Sequence, residues 1–162
     1  MSARKGPGGA RRVLVFGTFD ILHPGHTSFL RQARRQGEVL LAAVARDAFV
    51  ACFKGRPPRH TETERKRALR ASGLVDAVYL GDRKPGSYAI VMRLRPHVVC
   101  VGHDQHLLEA SLRAWVARSA LAIEVHRLRG YRPDIYKSSK LERSMPKGAT
   151  GTGRGGDRGG RG

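Results

Sequence analysis

Apolar runs alternate with stretches of helical period along the middle of this chain. Arg12–Gly17 (RVLVFG) is an apolar run that predicts a buried strand, and residues 24–36 then carry Phe29, Leu30 and Ala33 at helical spacing before Gly37 stops them. Residues 38–47 (EVLLAAVARD) predict a second strand. Residues 61–72 predict a charged helix opened by a Thr61-x-x-Glu64 capping box, with Ala68, Leu69 and Ser72 facing inward. A third strand is expected over 76–82, a helix over 87–95 that ends before Pro96, and a fourth strand over 97–103. Residues 106–119 place Leu108, Leu112, Trp115 and Val116 at core spacing on a helix, and 122–128 read as the last strand. Strands rich in Val and Leu without strict alternation, separated by helices, predict a parallel sheet covered on both faces. Such sheets bind ligands at the carboxyl ends of their strands, beside the point where strand order reverses.

The ends of the chain follow neither pattern. Residues 148–162 hold eight of the twenty glycines, interleaved with Arg154, Arg158 and Arg161, and offer no large apolar side chain to bury. Such a segment cannot offset its ordering entropy, so residues 142–162 are expected to be a disordered Gly/Arg-rich tail, and the basic residues 1–11 likewise. One domain, 12–141, remains between them.

Charge narrows the partners. Lys and Arg number 31 against 13 Asp and Glu, a net charge of +18, which favours nucleotides, phosphorylated metabolites, nucleic acid or acidic lipid surfaces. Cys52 and Cys100 have neither metal-ligand spacing nor a CxxC pair, and a reducing cytoplasm suits them. The basic start is not followed by the apolar run of a signal peptide, and no stretch approaches the roughly 18 apolar residues of a membrane span. A cytoplasmic protein without a membrane partner is expected.

The chemistry concentrates in Gly17-Thr18-Phe19-Asp20-Ile21-Leu22-His23-Pro24-Gly25-His26. This segment leaves a buried strand and opens a helix, and strand-to-helix turns bind phosphate through the partial positive charge of free N–H groups. Gly17 and Gly25 let a ligand approach the backbone. His23 and His26, three residues apart at a helix start, project toward one side, where imidazoles can donate to phosphate oxygens as charge builds at phosphorus. Phosphoryl-type transfer is mainly positioning plus charge stabilisation, so donors and a metal ion suffice without a covalent nucleophile. The competing reading makes His23 and His26 ordinary capping or surface histidines. Their place between a G-T-F-D strand end and an apolar helix weighs against it.

On this segment the chain resembles the HxGH nucleotidyltransferases, the cytidylyltransferase-like group, and most of all the archaeal-type FAD synthases. The resemblance spans about 12–141. It includes Ala45-Arg46-Asp47, Lys54, Glu62-x-x-Arg65, Val75-Asp76, Leu80-Gly81-Asp82, Arg95-Pro96-His97, Gly102-His103-Asp104-Gln105 and Arg129-Gly130-Tyr131. It implies a single α/β domain with a Rossmann-like, doubly wound, parallel five-stranded sheet and helices on both faces. It also implies that Thr18, Phe19, Pro24 and Gly25 help to bind the nucleotide, that His23 and His26 stabilise the transition state at the α-phosphate, and that Lys54 reaches the phosphates. Asp104 would hold the nucleotide's ribose or base and Tyr131 would lie near its pocket. Mg²⁺ or another divalent metal would ride on the triphosphate, mostly water-coordinated, so that a dedicated protein cage need not be visible in the sequence.

Each residue has a plainer reading beside this one. Lys54 sits in a basic loop and can be a solvated charge, Asp104 can cap the helix that follows, and Tyr131 can pack a loop. Asp20 is read as satisfying turn N–H groups. Glu62 and Arg65 are read as an i,i+3 surface pair without function.

The acceptor is decided by the distal motifs. Tyr136-Lys137-Ser138-Ser139-Lys140-Leu141 departs from the R-T-E-G-[IV]-S-T-[TS] stretch of the glycerol-phosphate and choline-phosphate branches. Gly102-His103-Asp104-Gln105 is similar to the G-Y-D-Q or G-P-D-Q of FAD synthases, with His103 at the position of the commoner Tyr or Pro. The resemblance therefore favours ATP and FMN as substrates, with FAD and pyrophosphate as products. CTP, and glycerol 3-phosphate, another phosphoalcohol or a sugar phosphate, remain the alternatives, and a homodimer is compatible. A basic RNA-binding protein is the non-enzymatic reading, which the Arg/Gly tail suits better as an added activity.

Overall fold

In the computed structural model, residues 9–131 are described, and they form a five-stranded sheet in the order β3-β2-β1-β4-β5 with every neighbouring pair parallel. The tail, the motif at 136–141 and residues 1–8 lie outside the described residues.

The strands are β1 (Arg12–Gly17), β2 (Val39–Val44), β3 (Ala77–Leu80), β4 (Val98–Val101) and β5 (Glu124–Arg127). They are buried from both sides, which explains their unbroken apolar runs. On one face Val13, Val15, Leu40, Ala42, Val44, Val98 and Cys100 pack with Leu30 and Ala33 of helix α1 (Pro24–Arg34), Val75, and Leu69 of α3 (Glu62–Ala71). On the other, Leu14, Leu41, Ala43, Val99 and Val101 meet Ile90 and Val91 of α4 (Ala89–Leu94) and Leu112 of α5 (His106–Arg118). Each fully buried Val or Leu contributes about 1.5–3 kcal/mol. Gly37 lets β2 start against β1, since a Cβ there would stand 2.6 Å from the Arg11 carbonyl oxygen.

Three local expectations change. The helix expected over 87–95 shrinks to α4 because Tyr88 and Arg95 adopt left-handed backbone, with φ of 48° and 46°. In α3 the Thr61–Glu64 capping box forms in both directions, but Ala68 and Ser72 face solvent, and the inward residues are Leu69 and Arg65. An additional helix, α2 (Asp47–Lys54), follows β2, where only the end of a strand and a basic loop were expected.

Strand order reverses between β2-β1 and β4-β5, so the carboxyl ends of β1 and β4 flank the crevice. Gln105 ties them together: its Oε1 accepts from Gly102 N at 2.7 Å and its Nε2 donates to the Phe16 carbonyl at 3.0 Å.

Candidate active site

A cavity of about 810 Å³ opens at this crevice, near the upper end of the range for small-molecule sites. The loops after β1, β2, β3, β4 and β5 all contribute to its wall. Thr18, Phe19, His23, Gly25, His26, Lys54, Asp104 and Tyr131 line it, so topology gathers residues spread over more than a hundred positions. Pro24 does not line it; it occupies the first turn of α1, where its fixed φ suits the helix start.

The β1–α1 loop is held from several directions. Phe19 has a left-handed backbone, φ 51°, and a buried ring. That ring lies over Gly17, where a Cβ would stand 2.7 Å from Phe19 Cε2, so glycine is the residue that fits. The same ring stands 5.4 Å from the His26 ring, tilted by 54°. A left-handed non-glycine residue costs about 1–3 kcal/mol and persists only where its surroundings over-determine it. Here Arg65 supplies part of that restraint. Its fully buried guanidinium donates to the Thr18 carbonyl at 2.7 Å, to the His60 carbonyl at 3.0 Å and to Asp47 Oδ1 at 2.7 Å.

Arg65 is therefore no surface partner of Glu62. Glu62 instead accepts from Asp47 N at 2.8 Å, at the start of α2, and stands 3.6 Å from the Arg46 guanidinium. Asp20 has the structural role expected of it, through a distant loop: its carboxylate accepts from the backbone N–H groups of Arg59 and His60 at 2.8 and 2.9 Å.

The two histidines converge, with ring centroids 3.9 Å apart and planes 28° from parallel. His23 is also the N-cap of α1, its Nδ1 accepting from Gly25 N at 3.0 Å. The capping and chemical readings thus coincide in one residue. Because Nδ1 accepts, the proton of neutral His23 sits on Nε2. The cap also occupies the Gly25 N–H.

Burial lowers the His23 pKa below its ordinary value. His26 is pushed down to about 4, first by burial and then by the charge of His23, with Lys54 adding to it and the Ile21 carbonyl and Asp104 opposing. Both rings are therefore neutral near pH 7, and His26 Nδ1 is buried without a hydrogen-bond partner. A neutral imidazole pair accepts an anion without first breaking an ion pair.

Asp104 stands in the β4–α5 loop, its Oδ1 3.2 Å from where a Cβ on Gly102 would be. It does not cap α5, whose N-cap Gln105 makes no side-chain cap bond. Lys54 ends α2 rather than lying in a loop, and Tyr131 is half-exposed at the rim. Sequence reasoning missed Phe49, Phe53 and Lys84 on the cavity wall, and Arg129, part of the Arg129-Gly130-Tyr131 motif, had no role assigned to it. Phe49 and Phe53 carried a usable signal, aromatic residues four apart just after a strand. Lys84 carried none beyond its charge.

The pattern of the cytidylyltransferase-like family matches residues 14–144, and the chain belongs to that family. Among its curated relatives, the FAD synthase of Thermococcus sibiricus is 37% identical over 131 residues, 80% of this chain and 88% of the relative. The FAD synthase of Pyrococcus horikoshii is 40% identical over 135 residues, covering 82% and 87%. A solved structure, the lipopolysaccharide core biosynthesis protein from Thermoplasma volcanium, superposes with a TM-score of 0.70 at 30% identity, covering 76% of this chain and 99% of that one. The chain is a nucleotidyltransferase of the α/β, Rossmann-like type.

Proposed function

We propose that this protein transfers AMP from ATP to FMN, giving FAD and pyrophosphate. One observation carries the reading: a stacked His23–His26 pair on a braced strand-to-helix turn, inside a cavity with cationic arms, in a chain similar to archaeal FAD synthases over four fifths of its length. An oxygen of the FMN phosphate attacks the α-phosphorus of ATP. The bond from that phosphorus to the β-phosphate oxygen breaks, and its electron pair leaves with pyrophosphate. No proton need be removed from the attacking phosphate, which is largely ionised near neutral pH.

The residues divide the work. Thr18, Phe19 and Gly25 position the triphosphate against the turn; His23, through Nε2–H, and His26 donate to the oxygens that gain charge in the transition state; Lys54 meets the phosphates as a point charge. Asp104 and Tyr131 receive the nucleoside. The catalytic domain is taken as residues 12–141, acting in the cytoplasm; among the described residues no helix is long and apolar enough to cross a membrane.

The donor set fits a divalent cation carried by the nucleotide. Among the described residues no three His, Cys, Asp or Glu side chains gather as a cage, and the carboxylates on the cavity wall are Asp82 and Asp104. The cation, Mg²⁺ or a similar ion, would neutralise triphosphate charge.

A sugar phosphate is the second reading, favoured by the likeness to the lipopolysaccharide core biosynthesis protein. Pyrophosphate release with ATP or CTP against FMN, glycerol 3-phosphate, phosphocholine and heptose phosphate separates them. ATP with FMN is expected to give FAD. Turnover of another acceptor while FMN is ignored would overturn the assignment. RNA binding through residues 142–162 is proposed only as an accessory, salt-sensitive property.

A further inference from the structure

The transfer chemistry leaves one part of the cavity wall unused. Phe49 and Phe53, one turn apart on α2, are 38% and 64% exposed, and their rings lie 7° from parallel with centroids 5.7 Å apart. Among the described residues the exposed large hydrophobics are Leu22, Phe49, Phe53, Met92, Leu107 and Tyr131, and all but Leu22 and Met92 border this one cavity. Singly exposed apolar side chains are ordinary, but their concentration at one concave site marks a place where a ligand completes the burial.

The wall has two sides about the histidine pair. Following β4 and β5 come Asp104, Leu107, Arg129 and Tyr131; following β2 and β3 come Phe49, Phe53, Lys54, Asp82 and Lys84. In-line displacement puts the acceptor oxygen and the departing pyrophosphate at opposite apices of the α-phosphorus, with the nucleoside on an equatorial oxygen, so the acceptor needs a stretch of wall that the nucleoside does not fill. Of the two carboxylates on the wall, Asp82 after β3 accepts from Ile90 N at 3.0 Å at the start of α4, so Asp104 is the one left to ribose hydroxyls, which assigns the nucleoside to its side. The α2 side then receives the acceptor. On that side Lys84 also lines the cavity and offers a cation to the acceptor phosphate, while Lys54 meets the triphosphate.

We propose that Phe49 and Phe53 form the acceptor subsite, stacking the isoalloxazine ring of FMN and thereby selecting a flavin phosphate over a sugar or alcohol phosphate. The proposal rests on FMN as acceptor. Phenyl rings offer a polyol no hydrogen bond, whereas a flat tricyclic ring gains stacking and burial together. Stacking of a planar heterocycle on one aromatic side chain is worth enough that losing both rings weakens binding about tenfold or more.

The test uses the full chain carrying Phe49→Ala with Phe53→Ala, and separately Phe53→Trp. The KM for FMN is expected to rise about tenfold or more in the double variant, with the KM for ATP within about twofold and kcat at saturation little changed, the signature of lost uniform binding. Riboflavin, which lacks the phosphate and cannot react, should lose affinity in parallel by equilibrium dialysis. Phe53→Trp should keep the FMN KM near wild type and quench flavin fluorescence on binding, because the indole is an electron donor. A double variant with wild-type FMN KM and riboflavin affinity overturns the subsite, as does a rise confined to ATP, which would place adenine there. If folding of the double variant suffers, Phe53→Trp decides the same question: flavin quenching on binding supports the subsite, and its absence overturns it. Failure of the FMN reading itself appears separately, as wild-type protein that makes no FAD and binds no riboflavin.

Discussion

The turn from Gly17 to His26 and the helix from Asp47 to Lys54 line the same cavity, yet they are held in different ways. The turn is tied down at each step: Gly17 lies under the Phe19 ring, the Thr18 carbonyl takes Arg65, Asp20 holds two backbone N–H groups of the next loop, and His23 caps α1. The helix buries Val50 and presents Phe49, Phe53 and Lys54 outward. Groups that act on a transition state gain from being fixed beforehand, whereas groups that receive a whole substrate gain from remaining uncovered until it arrives. Arg65 joins the two regions, with one bond to the Thr18 carbonyl and another to the Asp47 carboxylate.

The strongest way to break this contrast is His26→Ala. If the turn acts on the transition state, kcat should fall about 100- to 1000-fold, as when one preorganised donor is removed. ATP affinity, measured by calorimetry, should stay within about tenfold. Near-wild-type kcat would strip the turn of its chemical role. A loss appearing only in ATP affinity would make it a binding element like α2.

The legibility of these regions differs for physical reasons. β1 and the turn could be read because a strand buried on both faces leaves an uninterrupted apolar run, and because a turn next to phosphate needs particular residues at particular steps. The capping box of α3 was equally readable, since it is a local contact between Thr61 and Glu64. α2 was missed because its periodicity serves a cavity: Phe49 and Phe53 point toward a ligand space, and only Val50 packs inward. Arg65 was misread because its burial is tertiary. An arginine in a charged helix looks solvated until the Thr18 and His60 carbonyls close over it. Asp20 was read for the right purpose but with the wrong partners, since Arg59 and His60 lie some 40 positions away.

Arg65→Met sharpens the contrast from the side of stability. The variant keeps much of the volume but leaves two carbonyls and the Asp47 carboxylate without their donor. Breaking such a set should cost about 3 kcal/mol, read as a lower urea midpoint at unchanged slope. Because the same side chain holds the Thr18 carbonyl, kcat should fall as well under conditions where the variant remains folded. A stability within about 0.5 kcal/mol of wild type would show that the turn holds itself.

The smallest expected effect concerns protons. In the unfolded chain His26 titrates at its ordinary value of 6.5; in the native protein burial, with help from His23 and Lys54, pushes it down to about 4. Between those values the unfolded chain holds a proton that the native one lacks, so stability rises with pH through the window and levels off above about 6.5. This group can supply at most about 1.4 kcal/mol per pH unit, and His23, whose pKa is also lowered, adds with the same sign. Urea unfolding of wild type and His26→Asn at pH 5 and pH 7 isolates the contribution: the variant should show the shallower dependence, with His97 and the carboxylates common to both. Binding of a triphosphate should move the His26 pKa upward, because an anion favours the charged imidazole, and proton NMR of the ring would follow it. A ligand-free His26 that titrates near 6.5 would mean that the turn is hydrated before substrate binds, and the neutral, preorganised pair on which the contrast with α2 depends would then be lost.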